Sequence, residues 1–85
     1  MICDIYRSDS KSGLYIYLKK GEELSCLPDD LLKLLGKHTW VMELDLKQRK
    51  KLANEDINTV IANLHEKAYH VQLPRNLLQN VINYH

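Results

Sequence analysis

The sequence predicts an α+β domain, a small and mostly antiparallel four-stranded sheet with helices in the order ββαβ(α)αβα, stacked as a three-layer α/β/α sandwich. Short runs that alternate apolar and polar residues recur around Ile5, Ile16, Leu44 and Val71, the period of a strand with one buried face. Other runs space their apolar residues three and four apart, the period of an amphipathic helix. The 85 residues, 45% hydrophobic and 27% charged, suffice for one core and not for two, so residues 1–85 are read as a single domain.

The first strand covers residues 2–7, with Cys3 and Ile5 on one face and Asp4 and Tyr6 on the other. The segment Ser8-Asp9-Ser10-Lys11-Ser12-Gly13 has loop chemistry and leads into a second strand in which Leu14, Ile16 and Leu18 alternate with Tyr15, Tyr17 and Lys19. Together these form an antiparallel hairpin. Pro28 suits the first position of a helix, where its missing N–H costs nothing. Asp29 and Asp30 oppose the positive helix end, Leu31, Leu32, Leu34 and Leu35 supply the apolar residues, and Gly36 suits the end. A third strand over residues 39–46 puts Trp40, Met42, Leu44 and Leu46 on one face.

Asp45 with Gln48 reads as a capping box opening a short turn through Leu52. Asn54 then starts the main helix, residues 55–67, whose buried stripe is Ile57, Val60, Ile61 and Leu64. A short fourth strand, Tyr69 to Leu73, stops at Pro74, and Leu77, Leu78, Val81 and Ile82 form the stripe of a closing helix. A four-stranded sheet is about 20 Å wide and one face takes roughly two helices. The surplus helix is therefore expected on the opposite face, against Tyr6, Tyr15, Tyr17 and Val41.

The ordered set Ile5-Tyr6-Arg7-Ser8, Leu14-Tyr15-Ile16-Tyr17-Leu18, Leu27-Pro28 with Leu31, Leu35-Gly36, Met42 with Leu44 and Leu46, Arg49-Lys50-Lys51-Leu52-Ala53-Asn54 with Asp56-Ile57, and Gln72-Leu73-Pro74 resembles the YcgL-domain family of small bacterial proteins. The resemblance implies a three-layer α/β/α sandwich and no reaction, cofactor or catalytic residue. Two departures stand out. The family has glycine and two aromatics where Ala68, Tyr69, His70 and Val71 stand here, and Arg75 replaces a second proline.

Chemistry-bearing motifs are sparse. There is no phosphate-cradling glycine loop, no paired-cysteine zinc spacing and no His-Glu-x-x-His, so no catalytic, cofactor or metal residue is assigned. His38, His65, His70 and His85 share no ligand spacing; His65 reads as a helix-end cation and His70 as an exposed or edge residue. Cys3 is expected as a buried, inert thiol. Cys26 precedes a helix start, where the dipole would lower its pKa. Asp4 and Glu43 would share a sheet face as an ion-paired cluster with Arg7 and Lys19 if strands one and three are neighbours. Two cysteines without a disulfide framework, together with the absence of a basic-then-apolar start or a long apolar window, point to the cytosol with no membrane anchor.

The net charge of +1 gives no whole-molecule attraction to nucleic acid or an anionic membrane. It hides a local asymmetry: residues 47–51 carry +4, those before them −2 and those after −1. The leading expectation is a non-enzymatic adaptor or binding domain for a protein partner, contacting it through the sheet ends and the basic turn. The alternative is an RNA-binding accessory in which Lys47, Arg49, Lys50 and Lys51 hold phosphates and Arg7, Tyr15 and Tyr17 present a cation and rings to bases. An enzyme built on Cys26, or on Asp4 and Glu43, is the least favoured reading.

Overall fold

The computed structural model describes residues 1–48, 52 and 55–74. The elements are β1 (Ile2–Ser8), β2 (Tyr15–Lys19), a 3-10 turn (Leu24–Cys26), α1 (Asp29–Leu35), β3 (His38–Asp45), α2 (Ile57–Lys67) and β4 (Tyr69–Gln72). The strands form one sheet in the order β3-β1-β2-β4, and every neighbouring pair is antiparallel. This is the α+β fold expected. The closing helix at residues 77–82, on which the layer count rested, lies outside the described residues, as do Ala53, Asn54 and three residues of the basic run.

The hairpin between β1 and β2 closes through Ser8, whose backbone N–H donates to the Leu14 carbonyl at 2.9 Å. Closure there pairs odd residues with odd and even with even: Ile5 faces Tyr17, Tyr6 faces Ile16 and Arg7 faces Tyr15. Partners in an antiparallel pair project to the same face. Tyr15 and Tyr17 therefore lie with Cys3 and Ile5, whereas Tyr6 lies with Ile16 and Leu18. The expected common face for Tyr6, Tyr15 and Tyr17 does not form.

Each face has its own apolar cluster. Cys3, Ile5, Tyr17, Leu44 and Leu46 pack with Val60 and Leu64 of α2, flanked by Tyr15, Met42, Ile57 and Ile61. Ile16 and Leu18 pack with Leu27 and with Leu35 of α1, flanked by Tyr6, Tyr69 and Val71. The stripe read from the α2 sequence is thus the one that packs. Burying a leucine or valine of this kind stabilises the fold by about 1.5–3 kcal/mol relative to leaving it exposed.

β3 departs from its simple alternation. Ile5 pairs with Met42 but Tyr6 pairs with Trp40, so Val41 is an extra residue in a bulge. The bulge transfers Trp40 from the face of Met42 and Leu44 to that of Tyr6, where it is 54% exposed. Its indole Nε1–H donates to Asp4 Oδ1 at 3.1 Å.

Ser8 also fixes α1. Its buried hydroxyl donates to the Leu35 carbonyl at 2.7 Å and accepts the Lys11 N–H at 3.1 Å, so one side chain ties the hairpin loop to the helix end. Gly13 adopts φ +89°, and a Cβ there would lie 3.2 Å from Cα of Pro74, the residue that follows β4 and Leu73. The hairpin turn and the end of β4 meet at this point.

α2 begins later than its sequence suggests. Asp56 caps it: its carboxylate accepts the Asn58 N–H at 3.3 Å and the Thr59 hydroxyl at 2.9 Å. The helix ends at Ala68 in the left-handed conformation, φ 72°, with its N–H bonded to the Leu64 carbonyl and its own carbonyl accepting the Lys19 N–H at 2.8 Å. Glycine adopts this conformation without the steric cost that a Cβ incurs. Ala68→Gly is expected to stabilise the domain by about 1 kcal/mol, a rise in melting temperature of about 4–8 °C. Thermal unfolding followed by circular dichroism checks it; an unchanged or lower midpoint contradicts the strain.

Candidate functional site

The residues with functional promise separate into three places. The first is at the sheet end where β1 starts and β2 finishes. Antiparallel pairing brings Lys20 beside Ile2, with the Lys20 N–H donating to the Ile2 carbonyl at 3.0 Å. The Leu46 N–H donates to the Met1 carbonyl at 2.9 Å, which carries Lys47 to the same end. His65, in the last turn of α2, completes an open cleft of about 520 Å³ lined by Met1, Ile2, Lys19, Lys20, Lys47 and His65. Met1 and Ile2 make part of its lining apolar, and the three lysines make part of it cationic. Four separate chain segments build it, so only Lys47 was visible as a candidate.

Beside this cleft, Asp4 and Glu43 are cross-strand partners, as their shared face implied. Their cation is Lys20, not the expected Arg7 or Lys19. Lys20 Nζ lies 2.5 Å from Glu43 Oε2 and 3.9 Å from Asp4 Oδ1. The hydrogen bond to Glu43, then the charge of Asp4, pushes the Lys20 pKa above the ordinary lysine value. Lys19 pairs instead with Cys3, which places it on the opposite face, and Arg7 reaches Asp9 at 3.7 Å. The two carboxylates are occupied by Lys20 and Trp40.

The second place is a polar hollow of about 380 Å³ at the other end of the hairpin, lined by Arg7, Tyr15 and the serine-rich loop. Arg7 is five residues along β1 from Ile2, about 17 Å at strand spacing. Among the described residues, the predicted contacts do not converge: Lys47 is at one end of the sheet and Arg7 with Tyr15 at the other. Tyr17 is buried beneath α2, and its hydroxyl donates to Gln72 Oε1 at 2.7 Å. Arg49, Lys50 and Lys51 lie outside the described residues.

The third place contains His70, expected to be exposed or at an edge but only 8% exposed. The Asn63 amide nitrogen lies 2.8 Å from Nδ1, and Glu55 Oε1 lies 2.5 Å from Nε2. With an amide donor facing Nδ1, the ring proton sits on Nε2 and is donated to Glu55. The Tyr17 ring meets the imidazole edge-on at 5.5 Å. Both ring nitrogens are thus engaged, and the group fastens β4 to α2 and to the segment before it. Among the described residues no three His, Cys, Asp or Glu side chains are grouped to hold a metal ion.

Burial, with the Asp4 charge second, pushes the Cys3 thiol up to about 11. Cys26 is exposed, and its pKa is also raised, first by partial burial and then by Glu22, against the expected lowering. α1 starts at Asp29, beyond Pro28, and its first turn already carries Asp29 and Asp30. Alkylation of the native protein at neutral pH is expected to label Cys26 no faster than a free thiol and to leave Cys3 unlabelled until the chain unfolds. Mass spectrometry of the labelled peptides checks this, and a fast-reacting Cys26 would contradict it.

Burial, followed by the charge of Glu55, pushes Tyr17 from 10.0 up to about 12. The raised value favours the neutral phenol in the folded chain. Its contribution to stability is therefore complete below pH 10 and is lost as the pH rises towards 12. The loss is expected to be about 2 kcal/mol, and Tyr17→Phe should remove that share of the alkaline decline while Cys3 retains its own. Urea unfolding at a series of pH values from below 9 up to 12 measures both.

A family model for the YcgL domain matches residues 3–75. A YcgL domain-containing protein of Cellvibrio japonicus is 49% identical over 74 residues, covering 87% of this chain and 76% of its own. Its counterpart in Stutzerimonas stutzeri is 42% identical and that of Proteus mirabilis 40%, each over the same shares of both chains. The matched span takes in the hairpin, both helices and β4 through Pro74. By both its ordered sequence pattern and these likenesses, the chain belongs to the YcgL domain family.

Proposed function

We propose that this domain is a non-enzymatic protein-binding module of the cytosol and that its contact surface is the sheet-end cleft around Ile2 and Lys47. The observation that carries the reading is the cleft itself, an apolar floor left open inside a rim of lysines and a histidine. Ile2 in its lining is 40% exposed, although β1 is an interior strand of the sheet. The residues that an enzyme reading would use are either engaged or unactivated: the Cys26 thiol is exposed, but partial burial and then Glu22 raise its pKa. Asp4 and Glu43 hold Lys20, both nitrogens of His70 are bonded, and Cys3 is buried with its thiol held neutral. Two free cysteines fit a reducing compartment. Among the described residues no helix is long and apolar enough to cross a membrane.

A photo-crosslinking amino acid placed at Ile2 of the full chain in bacterial cells is expected to give discrete protein adducts. Lys47→Glu should suppress them, and the same group at Leu34, exposed on α1, should not produce them. No adducts at Ile2, or equal adducts at both positions, overturn the reading.

A further inference from the structure

The cleft has a chemistry specific enough to indicate what enters it. We infer that it takes a short acidic peptide segment bearing one apolar side chain, an inference that rests on the protein-binding reading above. The apolar floor is supplied by Met1 and Ile2, and a hydrophobic side chain laid on it would cover the exposed part of Ile2. About 520 Å³ is room for one such side chain and its flanking backbone. Charge on the rim is uneven. Lys20 is turned towards Glu43 and Asp4, so Lys19 and Lys47 supply the positive field, with His65 adding to it when protonated.

The same geometry disfavours a nucleic acid. Ile2 faces Asp45 across the sheet, and the next pair on that face is Asp4 with Glu43, so the cationic rim is bounded by three carboxylates. A phosphate backbone running across the sheet would meet them one after another. A short segment anchored on Ile2 meets only Asp45, whose Oδ1 accepts the Lys47 N–H at 3.0 Å, and can end before Asp4 and Glu43. Among the described residues no tyrosine lines the cleft; Tyr17 is buried and Tyr15 is at the other end of the sheet, so neither offers a ring there on which a base could stack. Apolar floor, local positive charge and negative border together describe a pocket for an acidic peptide with an anchor residue.

The test uses the full chain and a labelled peptide of alternating Glu and Asp with one central leucine, read by fluorescence anisotropy. The wild type is expected to bind, and each of Lys19→Glu and Lys47→Glu to weaken binding about tenfold, with raised salt acting in the same direction. Replacing the peptide leucine by serine should cost about tenfold as well. Lys33→Glu on α1 should leave affinity unchanged. The inference is overturned by absence of binding, by affinity indifferent to the leucine, by equal loss with Lys33→Glu, or by single-stranded RNA displacing the peptide at equal charge. Crosslinking at Ile2 that depends on Lys47, together with no peptide binding, would remove the acidic-peptide chemistry and leave the protein-binding reading standing. Loss of that crosslinking would remove the reading itself.

Discussion

The pairing register of β1 against β2 governs most of this molecule. β1 is bonded on both sides, to β2 and to β3, so its alignment passes to three of the four strands. Closure between Ser8 and Leu14 sets odd residues against odd. A slip of one residue would exchange the faces of β2, sending Ile16 and Leu18 towards α2 and Tyr17 towards α1. Neither cluster would then have its partners, and the hydroxyl of Tyr17 would lose Gln72. The cleft depends on the same register, since it places Lys19 and Lys20 beside Met1 and Ile2. Ser8 reinforces the alignment at no cost in buried polarity, because its hydroxyl donates to the end of α1 and accepts from the loop.

Local features of the fold were legible in the sequence because they depend on neighbours only. The stripe of α2, the leucines of α1 other than the exposed Leu34, and the alternation within β1 and β2 require no knowledge of the rest of the chain. What escaped depends on which segments meet. Tyr6 and Tyr15 belong to strands that each alternate as expected, yet only the hairpin alignment decides that they face opposite ways. The bulge at Val41 has no local signal, because Trp40-Val41-Met42 reads equally well as plain alternation. His70 lies one residue from exposed-looking neighbours in a short edge strand, and its burial requires Asn63 and Glu55 to arrive from elsewhere. The cleft was legible to the extent of one residue, Lys47. The Lys19-Lys20 pair had the right charge but no sign that Ile2 and His65 would join it.

The residues that carry the family resemblance are mainly architectural. Ser8 and Leu35 share a hydrogen bond, a Cβ on Gly36 would sit 3.2 Å from the Ser10 hydroxyl, and Pro74 packs on Gly13. The Tyr-Arg-Ser strand end, the Leu-Gly helix end and the Gln-Leu-Pro strand end therefore meet around one hairpin loop. A motif set of this kind specifies how the chain closes. Lys19, Lys20 and His65 lie outside it, at the opposite end of the sheet. Ala68 also belongs to the architecture, for its left-handed conformation ends α2 and its carbonyl accepts the Lys19 N–H.

This division bears on where function resides in so small a domain. Each buried polar side chain in the described residues has its hydrogen-bond partners, and in most cases the partner comes from a different element. A titratable group whose partners are all internal is poorly placed to exchange protons with a substrate, because reaching one means breaking a buried contact that costs about 1–3 kcal/mol. The polar interior is thus committed to holding strands and helices together. Surface chemistry remains available, and at the sheet end it takes the form of lysines around an uncovered isoleucine. Burying that side chain against a partner requires no change in the hairpin, the bulge or the His70 group. On the proposed reading, binding there would leave those contacts intact and avoid the ordering entropy that a site assembled only on binding loses.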